Sequence, residues 1–506
     1  MQKAAGIPMA DEIEISGEGA TGETALPAGW ERMIASAGLI LATALQAADG
    51  SIATVALPQL EHDLGGGIEL GAWVFAGYLC AAAVMAPLTG WLRRRYGARR
   101  LFPAAMGAFA VASMLCGLSP TAKAIILFRL LQGAGGGVLH PLAQAIMLDI
   151  YPKSRHGRMM GILGAGLMIG PILGPPLGGL ITDLASWRWV FLINIPLGFV
   201  AIACVWRLRS TIEPPGARTV DVLGIVSLMV GVGALQLLLQ RGVGLGWFHS
   251  PEIVAEAFLA AACFASLFLR ARHSGFTAFR PEVFRDVNFV TAAFYNFMLS
   301  ALLFVTVIFL PSLAEGPLGL PATMAGALIV PRAMLLMAVM LLVGQLMGKV
   351  DHRILLGSGW LLMAGGLIVL SIMPKAQAPL WIMLGSSIQA IGAAMLYIPL
   401  ATLAFSTLAP EIRTDASGLY SLLRQLGYAS GVALMSAVLQ AKIAMHVAAL
   451  AGGIAATPSL HAGAALRGYA DCFRMMAIAA VVIIPGIFLF RAGRGRTGRA
   501  PDALRP

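Results

Sequence analysis

The chain has 506 residues, 58% of them hydrophobic and 12% charged, with a formal net charge of +11. So apolar a composition excludes an ordinary water-soluble enzyme of this length, whose surface would need far more charge. The positive balance lies in loop arginines between apolar runs, so it requires no nucleic acid as partner.

Residues 1–29 are polar, with Asp11, Glu12, Glu14, Glu18 and Glu23. They lack the basic n-region, apolar h-region and cleavage site of a secretory signal, so a short disordered cytoplasmic tail is expected over 1–30. Runs long enough to cross a bilayer follow at 33–57, 70–92, 101–119, 123–148, 159–182, 189–206, 222–240, 253–270, 287–312, 322–347, 354–373, 379–405, 414–440 and 473–490, about fourteen in all. Alternate loops carry arginine clusters: Arg93, Arg94, Arg95, Arg99 and Arg100; Arg155 and Arg158 with Lys153; Arg207, Arg209 and Arg218; Arg270, Arg272, Arg280 and Arg285; Arg353 with Lys349. The intervening loops hold only isolated cations such as Lys123, Arg188, Arg241 and Lys375. This asymmetry places the arginine-rich loops and both termini in the cytoplasm. The tail residues Arg491, Arg494, Arg496 and Arg499 read as a last inside anchor or as a lipid headgroup site.

The first span holds Asp49, and the fourth holds Arg129. Both lie some seven to nine residues from the outer ends of their helices, hence at about one membrane depth. Charges are costly in hydrocarbon and mark a job or a partner. Desolvation favours the protonated acid and a neighbouring guanidinium favours the carboxylate, so Asp49 is a candidate proton carrier or substrate-cation contact. A structural ion pair, or an arginine bonded only to carbonyls, is the plainer alternative. Between these spans, Gly90 opens a basic loop with Arg95, Gly97, Arg99 and Arg100; a related loop with Lys349 and Arg353 follows Gly344 in the second half. The pair of loops suggests a duplicated six-helix bundle.

Downstream of Arg129 the fourth span carries Gln132, Gly133, Gly135, Gly136, Gly137 and His140. His140 reads as a packed imidazole or, less simply, a proton relay. The fifth span has Gly161, Gly170, Pro171, Gly174, Pro175, Pro176, Gly178 and Gly179, which suits a kinked, closely packed helix at a hinge or seal. Trp187 and Trp189 anchor the start of the sixth span, followed by Asn194. The pair 222–240 and 253–270 is poor in polar groups apart from Gln236 and Gln240, and reads as a peripheral insertion. In the second half, Arg332 and Arg424 fall mid-span without a carboxylate at their depth; Glu315, near an outer end, is the nearest candidate. They are read as packing or gate residues, or as substrate contacts. The cysteines Cys80, Cys116, Cys204, Cys263 and Cys472 share no ligand spacing, and no metal site is expected. Some of the 25 methionines, with Phe75, Tyr78, Phe304, Phe309 and Tyr397, suit the lining of a cavity for variable apolar ligands.

These strings resemble the major facilitator superfamily, in its fourteen-span drug:proton antiporter group of the EmrB/QacA type, over nearly the whole chain beyond the N-terminal tail. The resemblance rests on Gly161, Gly170, Gly174, Pro175, Gly178 and Gly179 as the antiporter motif, on Arg129 with Gln132, on Asp49, on the Trp187–Gly198 string and on the 90–100 loop. The loop departs from the family where Arg94 replaces the usual acid, and the first span has Gly50 and Thr54 where relatives often have Thr and Asn. What the resemblance implies is an all-α integral membrane protein with a major facilitator fold. A six-helix bundle is expected over 31–207, a linker and inserted pair over 208–272, a second bundle over 273–491 and a basic tail over 492–506. It further implies export of amphipathic drug-like compounds driven by the proton gradient, from the cytoplasmic (inner) membrane and without a cofactor. Asp49 and Arg129 would couple protons, and Gln132, His140, Glu315, Arg332 and Arg424 would line a cavity or gate. The lipid bilayer, protons and a small substrate are the expected partners; a periplasmic adaptor with an outer-membrane channel is an open addition, which the 441–470 loop with His446 and His461 would meet. A specific carrier of a metabolite, siderophore or amino acid is the second reading, and a non-transporting membrane sensor the third. No nucleophile–base pair or phosphate loop supports an enzyme.

Overall fold

The computed structural model describes residues 29–65, 67–206, 221–271, 280–451 and 457–490. The expected tail over 1–30, apart from Gly29 and Trp30 at the start of the first helix, lies outside them, as do the expected tail over 492–506 and residues 208–220 of the expected 208–272 linker and inserted pair. The described chain is helical, with a single isolated bridge between Met347 and Val350 and no named strand. In order the helices are α1 (Gly29–Leu64), α2 (Gly67–Met85), α3 (Thr89–Tyr96), α4 (Ala98–Gly117), α5 (Ala122–Ile150), α6 (His156–Leu184), α7 (Trp187–Leu192) and α8 (Asn194–Trp206). Then come α9 (Val222–Arg241), α10 (Pro251–Arg270), α11 (Val287–Glu315), α12 (Ala322–Leu346), α13 (His352–Ser371), α14 (Ala378–Ser406), α15 (Arg413–Ala451) and α16 (Pro458–Val482). Thirteen stretches among the described residues are long and apolar enough to cross a membrane. With α6, 29 residues long and packed along α1, they make the fourteen crossings expected.

Several helices are started by a side-chain cap. Thr121, Asp221, Asp286 and Thr457 accept hydrogen bonds from backbone N–H groups in the first turns of α5, α9, α11 and α16. Gly97, at φ 78°, breaks α3 from α4 in a conformation that a side chain would strain. Helices α1, α2, α4, α5, α6 and α8 pack on one another as a first bundle, and α11 to α16 as a second. The loops after α3, α5 and α12 gather the arginines at one end of the molecule, here called the basic end.

The bundles meet through α6 on α12 and through α15 on α3 and α5. Small residues make this approach possible. A Cβ at Gly161 would lie 3.0 Å from the Gly344 Cα and 3.1 Å from the Met340 carbonyl oxygen. Further along the same helix the partner changes: Gly170, Gly174 and Gly178 lie against Ala48, Ser51 and Ile52 of α1. Helix α6 is thus clamped to the second bundle near the basic end and to α1 beyond it.

The inserted pair departs from the expected periphery. Helix α10 is largely uncovered, but α9 wedges into the groove between α2 and α15, where Leu228 and Val232 pack with Ala83, Leu88 and Leu422. Its apolar length, free of charge before the terminal Arg241, is what lets it serve as a packing surface for both bundles. An ion pair between Asp221 and Arg270 and a cation–π contact of Arg241 over Trp73, 5.1 Å from the ring centre, hold its two ends.

The close approach of α6 and α12 makes a simple prediction. Gly161→Val should lower the thermal unfolding midpoint of the purified protein, with an overpacking cost of about 1–3 kcal/mol. Gly365→Val is the control, because nothing lies within 4 Å of a Cβ there. Equal shifts for both variants would contradict the packing described.

Candidate functional site

In the first bundle the two buried charges predicted from sequence meet. The Asp49 and Arg129 side chains are both 0% exposed, and Arg129 Nη1 lies 2.5 Å from Asp49 Oδ2. The second carboxylate oxygen, Oδ1, accepts from Gln132 Nε2 at 2.7 Å and from Asn194 Nδ2 at 3.0 Å. Arg129 also donates to Gln132 Oε1 at 2.9 Å and, through Nε, to the Val74 carbonyl at 3.1 Å. Its guanidinium lies over the Tyr78 ring, 4.4 Å from the centre, and nearer the edge of Phe191 at 5.6 Å. Gln132 is therefore part of this cluster, one turn from Arg129 on the same face of α5, and not a lone cavity residue.

Three of these partners have no charge to draw attention in the sequence. Asn194 opens α8 and is held by Ser113 at 3.0 Å, whose hydroxyl donates to the Phe191 carbonyl at 2.8 Å. The α7 turn that delivers Asn194 is capped by Ser186 and pinned by Trp187, whose indole N–H donates to Asp63 at 2.9 Å. Asp63 lies past the apolar part of α1, and that indole bond holds its carboxyl below the usual range. Tyr78 donates to the Gln46 carbonyl at 3.1 Å, fixing its ring beneath Arg129. The one signal for Asn194 was its place in the Trp187–Gly198 string.

The α1 helix carries this cluster on one face and the α6 glycines on the other. Ser51, two residues from Asp49, donates to the Gly170 carbonyl at 3.1 Å. A Cβ at Gly50, the residue after Asp49, would meet nothing within 4 Å. The antiporter glycines thus divide: Gly161 faces the second bundle, while Gly170, Gly174 and Gly178 face Asp49's helix; Pro175 and Gly179 lie in the same stretch of α6.

At the basic end the expected gate residues require correction. Arg95, Arg99 and Arg100 are exposed, and no ion pair among the described residues involves them. The helical phase of α3 turns Arg93 and Arg94 inward instead. Arg94 pairs with Asp415 of α15; Arg93 pairs with Asp149 at 2.8 Å and donates to Thr414 at 2.7 Å. Arg413 approaches Asp149 at 3.8 Å. The acid missing from the loop is replaced by Asp415 across the interface, with the polarity of the pair reversed. Gly90 permits the approach, since a Cβ there would lie 2.7 Å from the Asp415 Cα.

Glu315 is exposed at the end of α11 and does not pair with Arg332. Arg332 lies some nine residues deeper, donating to the Leu303 carbonyl at 3.3 Å and to Thr306 at 3.0 Å; Thr306 in turn donates to Gln389 at 3.0 Å. This is a buried cation fixed on a carbonyl and neutral side chains. Arg424 instead reaches between bundles, donating to His140 Nε2 at 3.1 Å and to the Tyr397 hydroxyl at 2.6 Å. Two turns towards the basic end, Ser417 donates to the Pro141 carbonyl at 2.8 Å and to Gln144 at 3.0 Å. Among the described residues, every polar contact joining the bundles lies between the basic end and the middle of the helices. No cluster of three or more His, Cys, Asp or Glu residues suited to a metal occurs among them.

A family model described as Major Facilitator Superfamily matches residues 39–432. Multidrug export protein EmrB of Haemophilus influenzae is 30% identical over 410 residues, 81% of this chain and 80% of that protein. Fatty acid resistance protein FarB of Neisseria gonorrhoeae is 31% identical, covering 80% of each chain. Escherichia coli EmrB is 31% identical, covering 83% of each. Among solved structures, the human organic anion transporter MFSD10 superposes with a TM-score of 0.63 at 15% identity, over 91% of this chain and 99% of that one. The proton:xylose symporter XylE superposes at 0.60 and 16% identity, over 90% of this chain and 96% of its own. These two likenesses concern the fold alone.

Removing one member of a sealed ion pair leaves a buried charge, at a cost of about 3–5 kcal/mol, whereas replacing both by apolar residues is close to neutral. Asp49→Leu should therefore lower the thermal midpoint of the purified protein markedly, and Asp49→Leu with Arg129→Met should recover most of it. A double variant as unstable as the single one would mean that the two side chains do not depend on each other.

Proposed function

This chain belongs to the major facilitator superfamily, in its EmrB/QacA-type branch, and from that membership we propose that it exports amphipathic drug-like compounds in exchange for protons. The arginine-rich loops face the cytoplasm, as the positive-inside asymmetry requires, so the bundles described here are closed towards the cytoplasm. Transport proceeds by rocking of the bundles about their shared interface, as the two-bundle architecture favours.

The observation that carries this reading is the Asp49–Arg129 pair on a helix that also packs against α6. With the carboxylate charged, Arg129, Gln132 and Asn194 all donate to it, and α1 is held firmly to α2, α5 and α8. A proton arriving at Asp49 cancels the attraction and removes one acceptor from the cluster. Arg129 then keeps Val74, Gln132 and the Tyr78 face as partners, so the cation does not need to leave. Loosened from its own bundle, α1 shifts its grip on Gly170, Gly174 and Gly178 of α6. Because the other end of α6 is clamped on α12 at Gly161, the shift is felt at the seam between bundles. Asp49 serves as proton carrier, Arg129 as the fixed charge that returns it to the ionised form, and α6 as the connecting element.

The ion pairs of Arg94 with Asp415 and of Arg93 with Asp149 hold the cytoplasmic side shut and must part once per cycle. Both pairs are largely buried in the closed arrangement, so opening has to exchange each partner for water as the charges separate.

The test is substrate-induced proton release from everted membrane vesicles, with ethidium as an amphipathic dye. The parent should release protons on dye addition; Asp49→Asn should lose the response to about a tenth or less, in line with loss of an essential proton-transfer group. Undiminished coupling in Asp49→Asn would remove the assignment, and an absent response in the parent with a wide dye panel would remove the efflux reading itself.

A further inference from the structure

Two histidines are buried among the described residues of the bundles, and their rings are held in opposite senses. His156, at the start of α6, has Nε2 at 2.9 Å from the Tyr151 carbonyl, an acceptor that suits a neutral or a charged ring. His140 instead faces Arg424, whose Nη1 lies 3.1 Å from its Nε2. A guanidinium can only donate, so His140 Nε2 accepts and the ring proton sits on Nδ1. That Nδ1 is buried without a partner. The closed arrangement therefore suits a neutral His140. A protonated ring would set two cations at hydrogen-bond distance in a buried site, with no acceptor for either ring N–H. A relay through this ring lacks a second partner to receive the proton.

Arg424 is the charged side chain that bears on the ring. On α5 itself, Arg129 and Asp149 lie about 16 and about 14 Å away along the axis, each in its own ion pair. Helix α1 brings Asp49, which Arg129 holds. Helix α2 brings Tyr78, beside Gly136 and bonded to the Gln46 carbonyl, and α4 brings Cys116, against Gln132. The cations of α3 and of the first turn of α6 stay at the basic end. On α15, Tyr420 and Tyr428 stand one turn to either side of Arg424, and Tyr397 of α14 accepts from it at 2.6 Å. Phenols are neutral in the physiological range.

His140 belongs to the first bundle and Arg424 to the second, about 15 Å in from the basic ends of α5 and α15. Theirs is the deepest of the contacts between bundles named above. Opening towards the cytoplasm parts the two side chains and admits water to the ring. Resting on the transport reading above, we infer that His140 is a second proton-binding group of the cycle, neutral whenever the cytoplasmic side is shut and able to force it open once protonated. The closed form then binds one proton fewer than the open form. Closure is favoured as pH rises and is lost as pH falls through about 6.5, where a water-exposed imidazole ionises. A proton taken from the outer side drives the bundles to open inward, and it leaves Nε2 for cytoplasmic water before they shut again. Asp49 loosens α1 within its bundle, whereas His140 breaks a contact between bundles.

The experiment uses the full-length protein in lipid nanodiscs without substrate, its native cysteines replaced by alanine. Spin labels go on Arg100→Cys and Lys349→Cys, exposed positions at the basic end, one on each bundle. Double electron–electron resonance then gives the proportions of closed and open forms from about pH 5 to about pH 8, a range that brackets imidazole ionisation. Asp49→Asn is the background, so that no part of the pH response comes from Asp49. There the closed-to-open ratio should fall about tenfold per pH unit below about 6.5, as one proton excluded by closure requires. Adding His140→Gln, a neutral acceptor for Arg424, should flatten the response and keep the closed form in acid. Asp149 and Asp415 are present in both proteins, so a response owed to them survives the substitution. Should the glutamine variant fail to assemble, Arg424→Gln decides the matter, since a carboxamide can accept from a protonated ring and the response should vanish there too. A flat response in Asp49→Asn, or one that persists in either glutamine variant, overturns this inference and leaves the Asp49 reading standing. A His140-dependent response in a protein whose parent releases no protons on dye addition sinks the efflux reading alone.

Discussion

A carboxylate and a guanidinium buried together in an apolar bundle form a constraint that most of the first bundle is arranged to satisfy. Neither group tolerates the hydrocarbon alone, and their attraction offsets desolvation only when the remaining hydrogen-bonding positions are also filled. Hence the convergence of Gln132, Asn194, the Val74 carbonyl and the Tyr78 ring on Asp49 and Arg129. They come from α2, α5 and α8, so the pair ties these helices and α1 into one unit. The same dependence makes the unit sensitive to a single proton.

In the proposed cycle the rest of the architecture transmits that sensitivity. Glycines on α6 let α1 approach on one stretch and α12 on another, so one helix touches both the ion pair's support and the opposite bundle. The closed end is secured by charge pairs that are themselves largely buried, and the Asp49–Arg129 pair is sealed completely. Helix α9, lodged between α2 and α15, packs apolar side chains against both.

Much of this was legible from the chain. The spans were visible because length and hydropathy alone define them, and Asp49 and Arg129 stood out because charges are rare in such runs. The small-residue spacing of 161–179 identified α6 as a close-packing helix, although not that its two halves face different partners. What escaped reading depended on helical phase or distant pairing. Arg93 and Arg94 were chosen over Arg95, Arg99 and Arg100 by the rotation of α3, and their acids, Asp149 and Asp415, come from far along the chain. Asn194 and Ser113 are neutral and short, so nothing in composition marks them as ligands of a carboxylate. The Arg424–His140 contact crosses between bundles and has no local signature. Glu315 looked available by type, but depth along α11 leaves it at the exposed end.

The central claim is that Asp49 gains and loses a proton within its buried cluster during function. Infrared difference spectroscopy of the protein reconstituted in lipid measures this directly, through the carbonyl stretch of a protonated carboxylic acid. The account predicts a protonated-carboxyl band that appears as the pH is lowered across the range supporting transport and that is absent from Asp49→Asn. A parent protein showing no Asp49-dependent band anywhere in that range would contradict it.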